Sequence, residues 1–290
     1  MLSIRRFKTI TKRVLDRLQP KTIVKAQIAQ LVPNNLLKGR CALITGGTSG
    51  IGFAIAKAFL NAGASVVITG RSQERLDKAC AALGNSGIYT CILDIRNVNS
   101  IAITFQSILD KIHQGGVNNI DILVNNAGIS GCDIKDGTPE IFDNVIDTNL
   151  KGVFFLSQQV GKYMKDNKIH GNILNISSAS SIRPAACAYT ISKWGIRGFT
   201  LGLARTLLPY GITVNALAPG PVATPLLHKN GVDDDLSLPN TPYGRFALPE
   251  EIANMAVILV SPIARLIIGD TVFMTGGAGN VNNGDIDYPF

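Results

Sequence analysis

The sequence predicts an α/β fold: one doubly wound, parallel sheet of seven strands with helices on both faces. Three observations predict it. From residue 40 onward, short apolar runs alternate with longer amphipathic stretches. The runs are apolar on successive residues, as strands buried on both faces must be. The βαβα order then demands crossover helices and a parallel sheet.

The elements follow in order. The first run, CALIT (41–45), leads into TGGTSGIG (45–52) and a helix over 51–61. Glycines 46, 50 and 52 let the backbone turn tightly and approach an anion, and the helix N-terminus offers N–H groups to it. With Thr48, Ser49 and Ile51 they form a cradle for a dinucleotide pyrophosphate, which makes the fold Rossmann-type. The second run, SVVIT (65–69), ends in Gly70, Arg71 and Ser72, before a helix over 73–83. NAD sites usually place an acid at this turn. An arginine stands here instead, and it can pair with a 2′-phosphate. This favours NADP(H) over NAD(H).

The third run, IYTCIL (88–93), ends at Asp94 and Ile95, where a short acid can accept from an adenine amino group. A helix over 97–113 follows. The fourth, IDILVN (120–125), ends in NNAG, and Asn126, Ala127 and Gly128 are small enough to pass close to a flat ring. A long helix over 139–167 carries Asn149. The fifth run, GNILNIS (171–177), opens a serine-rich strand end, NISSASS, before a helix over 187–208. The sixth, ITVNALA (212–218), leads to Pro219, Gly220, Val222 and Thr224. Residues 224–248 form the longest irregular stretch, expected as a lid or substrate loop. A helix over 249–260 and the seventh run, DTVFMT (270–275), close the sheet.

Composition narrows the classes. The chain has 290 residues, 46% of them hydrophobic, enough for one large domain. No apolar run reaches the ~18 residues that a membrane span needs. Residues 1–40 hold ten Lys or Arg against Asp16 alone, a charge of +9, and residues 41–290 sum to −1. The basic charge thus belongs to an N-terminal extension, and the body offers no basic face for nucleic acid. The extension (1–38) is expected to be helical, from apolar spacing at Phe7, Ile10, Val14 and Leu18 and again at 23–32. Packing on the body or a neighbour is favoured over lipid-surface contact or an organelle-targeting role. The domain proper is 39–290. Five scattered cysteines without a C-x-x-C pair read as reduced core thiols of a cytoplasmic protein. With three dispersed histidines, they suggest no metal site.

Tyr189 and Lys193 stand four apart in AYTISKWG, on one helix face. A hydride donor at the strand ends needs a proton source beside it. Tyrosine ionises near pH 10, and a lysine cation one turn away lowers that value. A hydroxyl from NISS can hold a carbonyl oxygen during transfer, and Asn149 can relay protons or orient a water for Lys193.

These motifs, with APGPVATP (218–225), RFALPEEIANMAVILVSP (245–262) and MTGGAG (274–279), resemble the short-chain dehydrogenase/reductase (SDR) family in content and order. The resemblance covers about residues 39–279. It implies that Tyr189 is the acid/base, that Lys193 binds the nicotinamide ribose and tunes Tyr189, and that Asn149 completes a relay. It also implies that Ser178 polarises the substrate carbonyl, being favoured over Ser177 as the second serine of the pair. Val222 would contact the nicotinamide carboxamide and Thr224 the phosphates. The Ser178–Tyr189 gap of 11 residues is shorter than the commonest family spacing, and the shortening falls in SSIRPAAC, which holds Arg183. That arginine would meet an acidic substrate or sit solvated on the surface. The expected function is NADP(H)-dependent interconversion of a ketone and a secondary alcohol. Alternatives are an epimerase or dehydratase with bound cofactor, and a non-catalytic nucleotide sensor. Apolar faces on the helices at 139–167 and 187–208 predict a homotetramer or homodimer.

Overall fold

A computed structural model describes residues 35–84, 86–227 and 235–279. The expected N-terminal helices, and part of the loop expected over 224–248, lie outside the described residues.

Seven strands form one parallel sheet in the order β3-β2-β1-β4-β5-β6-β7. They are β1 (Cys41–Thr45), β2 (Ser65–Gly70), β3 (Ile88–Ile92), β4 (Ile122–Asn125), β5 (Asn172–Ile176), β6 (Thr213–Pro219) and β7 (Thr271–Met274). The helices are α1 (Gly50–Asn61), α2 (Gln73–Leu83), α3 (Ile101–Gln114), α4 (Pro139–Ile146), α5 (Gly152–Asp166), α6 (Ala188–Leu207) and α7 (Pro249–Val260). Alternate strand residues feed two cores. Ala42, Ile44, Val66, Ile68, Ile122, Val124 and Leu174 meet α1, α2 and α7 on one face. Cys41, Leu43, Val67, Leu123, Ile173 and Val214 meet α3, α5 and α6 on the other. Each fully buried aliphatic chain adds about 1.5–3 kcal/mol, which is why both faces are apolar on successive residues.

Chain order runs outward from β1 in both directions, so the crossovers part at the β1/β4 boundary. A crevice must open there at the carboxyl ends of the strands.

Three expectations need correcting. The body begins before residue 39: Leu37 is fully buried in the α1-side core, and its N–H donates to the Ala62 carbonyl at 2.9 Å. The helix expected over 139–167 forms, but not as one regular α-helix. A π-turn at Asp147–Lys151 separates α4 from α5. The Thr148 hydroxyl donates to the Asn144 carbonyl at 2.7 Å, competing with the backbone ladder. Finally, only Cys41 is a fully buried thiol, and the other four cysteines are half-buried, though all five are free.

Candidate active site

The crevice is a cleft of about 870 Å³, in the range of small-molecule and cofactor sites. Thr48, Ser49, Gly50 and Ile51 line its floor at the start of α1. Gly46 and Gly50 have φ of 65° and 54°, a backbone that favours glycine. A Cβ on Gly52 would overlap the Gly46 carbonyl oxygen and the Asn126 side chain. The loop therefore folds down onto α1 only because these positions lack side chains. α1 has no acid in its first turn and its N-cap Ser49 makes no side-chain cap bond. Its N-terminus is thereby left for a phosphate.

Across the switch point, Thr45 knits β1 to β4. Its hydroxyl accepts from the N–H groups of Asn126 and Ala127, both at 3.0 Å. Asn126 Nδ2 donates back to the Thr45 and Gly46 carbonyls at 2.9 and 3.1 Å. Asn126, Ala127 and Gly128 thus form the near wall of the cleft. Below them, Asn125 Nδ2 donates to Ser157 and to Asn175 Oδ1, and Asn175 donates to Thr200, a buried chain that ties β4 and β5 to α5 and α6.

Arg71 and Ser72 line the cleft at the end of β2. Ser72 also caps α2 through the Arg75 N–H at 3.4 Å, which brings Arg75 into the same wall. Pro219, Gly220, Val222 and Thr224 line the opposite side. Gly220 has no room for a Cβ, which would lie 2.6 Å from the Thr275 carbonyl oxygen. Thr224 lies over Gly50, with Cγ2 3.3 Å from where a Cβ there would stand.

Asp94 departs from expectation. Its carboxylate accepts from Arg96 Nε at 2.9 and 3.1 Å and from the Arg96 N–H at 3.1 Å. It lines a separate shallow depression, while Leu93 and Ile95 line the cleft. The Arg96 hydrogen bonds hold the Asp94 carboxyl below its usual range, and Arg71 adds to the effect.

Tyr189, Lys193, Ser177 and Ser178 meet at the other end of the cleft. Cys187 starts α6, its sulfur accepting from the Thr190 N–H at 3.4 Å. Tyr189 therefore falls in the first turn and Lys193 one turn deeper. The Ser178 hydroxyl lies beside the Tyr189 phenol and pulls its pKa down, and it accepts from the Ser180 N–H at 3.1 Å. The Ser177 hydroxyl turns inward and donates to the Lys193 carbonyl at 3.3 Å. This distinguishes the two serines: Ser178 faces Tyr189.

Lys193 is 5% exposed. Its ammonium donates to the Ile176 carbonyl at 2.8 Å and lies 5.6 Å from the Tyr189 ring centroid. Burial draws its pKa down to about 8. Burial also pushes the Tyr189 phenol above its ordinary value, with the Ser178 hydrogen bond pulling the other way. Burial thus dominates the Tyr189 shift, and the opposing pull comes from Ser178 rather than from the lysine.

Asn149 sits in the π-turn, buried. Its Oδ1 accepts from the Ile129 N–H at 2.9 Å, and its Nδ2 donates to the Ile129 carbonyl at 2.8 Å and to Ser192 at 3.1 Å. Oδ1 and Lys193 Nζ both stand near Gly128, 3.3 and 3.8 Å from a Cβ built there. Asn149 thus holds the loop after β4 against the lysine rather than projecting freely into the cleft.

Thr45, Gly47 and Arg75 were not singled out by the sequence. Thr45 was signalled by a polar residue ending an apolar strand, and Arg75 by its place four residues after Arg71. Gly47 needs contacts: a Cβ there would lie 2.7 Å from Ile68.

Comparison with known proteins agrees with this geometry. A family model described as short chain dehydrogenase matches residues 40–235. A 3alpha-hydroxysteroid dehydrogenase of Mediterraneibacter gnavus is 36% identical over 255 residues, covering 84% of this chain and 98% of that protein. The 3-oxoacyl-[acyl-carrier-protein] reductase FabG of Vibrio cholerae is 36% identical over 245 residues, covering 83% and 98%. Among solved structures, a gluconate 5-dehydrogenase from Burkholderia cenocepacia in complex with NADP and tartrate superposes with a TM-score of 0.76 at 31% identity, covering 87% of this chain and 99% of that one. A 3-ketoacyl-(acyl-carrier-protein) reductase from Brucella melitensis complexed with NADH gives 0.74 at 31%, covering 84% and 99%. The chain belongs to the short-chain dehydrogenase/reductase family and is a nicotinamide-dinucleotide oxidoreductase acting on CH–OH and carbonyl groups.

Proposed function

We propose that this enzyme interconverts a ketone and a secondary alcohol with NADP(H), and that Tyr189 moves the proton. The observation that carries the reading is the pairing of two ends of one cleft. Tyr189, Ser178 and Lys193 stand at one end, and Arg71 with Arg75 at the other. When bound, the nicotinamide supplies or accepts the hydride.

The chain's own residues do the rest. Gly46, Thr48, Ser49, Gly50, Ile51 and Gly52 seat the pyrophosphate on the start of α1. Arg71 and Arg75 pair with the 2′-phosphate, which an acid at that turn would repel. Ile95, Asn126, Ala127 and Gly128 flank the adenosine and ribose side. Pro219, Gly220, Val222 and Thr224 close the nicotinamide side. In the reductive direction the Ser178 hydroxyl donates to the substrate carbonyl oxygen, and Tyr189 gives that oxygen its proton. A phenol held above its ordinary pKa is protonated at neutral pH, the form this step needs. Lys193 holds the ribose hydroxyls and stabilises the phenolate left behind. Asn149 keeps the loop at Ile129 and the lysine in register.

Tyr189→Phe tests the reading. Turnover of a carbonyl panel should fall at least about a hundred-fold, while NADPH binding, followed by fluorescence, persists. Unchanged turnover would remove Tyr189 from the chemistry.

The assembly is proposed as a homodimer or homotetramer. Phe154 stacks with Phe155 and Phe199 on the outer faces of α5 and α6, and Phe154 and Trp194 are each 43% exposed. Sedimentation at micromolar concentration should give no monomer. A cytoplasmic location is in keeping with five free thiols.

A further inference from the structure

We infer that the substrate carries an oxoanion, a carboxylate or a phosphate, and that Arg183 binds it. The inference rests on the proposed function, since it places the anion beside the carbonyl that Ser178 and Tyr189 would hold.

Arg183 follows the short turn Ala179–Ile182, five residues after Ser178. Its backbone is fixed at both ends. Its N–H donates to the Ser180 carbonyl at 3.3 Å, and its carbonyl accepts from Trp194 Nε1 at 2.8 Å. That second bond anchors it to α6, which also carries Tyr189. The side chain crosses the loop after β7, with Nε 3.3 Å from where a Cβ on Gly279 would stand. Gly279 has φ 103°, so glycine is favoured there and the space stays open. Arg183 thus lines the cleft with Ser178, Ser180 and Tyr189.

Its charge is unspent. Among the described residues, Arg71, Arg75, Arg183 and Lys193 line the cleft, and no Asp or Glu does. Lys193 is committed to the Ile176 carbonyl, and the first two arginines stand at the cofactor end. Elsewhere in the body, Arg96 pairs with Asp94, Arg245 with Glu251, and Arg40 donates to two carbonyls. Among the described residues no carboxylate pairs with Arg183. Ile129, Leu226 and Leu227, which line the same cleft, are uncharged. A guanidinium fork lining such a space matches the two oxygens of a carboxylate or phosphate.

Two ketone pairs test it: 5-oxohexanoate against its methyl ester, and dihydroxyacetone phosphate against dihydroxyacetone. Calorimetry on the full-length, NADP⁺-loaded protein reads binding without turnover. At least one charged probe should bind about ten- to hundred-fold tighter than its neutral partner, and which one does so identifies the oxoanion. The preference should vanish in Arg183→Ala, return in part in Arg183→Lys, and shrink with added salt. Equal affinities within both pairs, or a preference that survives Arg183→Ala, overturn the inference. NADPH oxidation with the same probes separates it from the function: neutral ketones reduced without charge preference would sink only the oxoanion, whereas charge-selective binding without turnover of any probe would uphold Arg183 and sink the reductase reading.

Discussion

Lys193→Met removes a buried ammonium and keeps an unbranched chain of similar length. Burial lowers the lysine from its ordinary 10.5 to about 8 in the folded protein. Below pH 8 both the folded and unfolded chains hold the proton, and the folded protein carries the full desolvation cost. Between pH 8 and 10.5 the unfolded chain keeps a proton that the folded chain has released. Stability therefore rises with pH across that window. The gap is worth on the order of 3 kcal/mol at about 1.4 kcal/mol per pH unit. The lost hydrogen bond to Ile176 adds a roughly constant ~1 kcal/mol and leaves the slope alone. Urea unfolding of both proteins at pH 7.5, 8.5, 9.5 and 10.5 gives the comparison. Wild type should gain about 3 kcal/mol on the variant across the series, with most of the gain above pH 8. Parallel curves would refute the argument that burial, rather than an ion pair, sets the state of Lys193. The variant should also bind NADPH weakly at every pH.

Further outcomes follow from the same geometry. Arg71→Ala combined with Arg75→Ala should weaken NADPH by about ten- to hundred-fold and NADH much less, measured as paired Kd values; equal losses would remove the 2′-phosphate role. Gly52→Ala should cost about 1–3 kcal/mol of stability and abolish cofactor binding, because its methyl meets the Gly46 carbonyl. Asn149→Ala leaves the Ile129 N–H and carbonyl without their partners and should cost about 2–4 kcal/mol in urea unfolding. Glu251, held below its usual pKa by the Arg245 guanidinium, contributes stability above the ordinary carboxylate value. Glu251→Gln should therefore lower the unfolding midpoint at pH 7, and the difference should close as the pH falls through the folded value.

The strand runs, the glycine cradle and the Tyr189–Lys193 spacing were legible because each depends on local rules. Burial on both faces writes an apolar run, a tight turn writes glycine, and one helical turn writes a spacing of four. Sequence alone thereby determined the fold class, the family and the cluster of residues around the cleft. Tertiary structure decided the rest, because it depends on which groups compete for a side chain. Asp94 has the right position but is claimed by Arg96, two residues on. Asn149 falls in a π-turn that no periodicity marks, since Thr148 bonds backward to Asn144. Ser177 and Ser178 are adjacent and alike in sequence, and only the twist at the end of β5 sends one to Lys193 and the other to Tyr189. Leu37 reads as extension and packs as core. The charge state of the Tyr189–Lys193 pair belongs to burial, a property of the whole fold that no spacing of residues can encode.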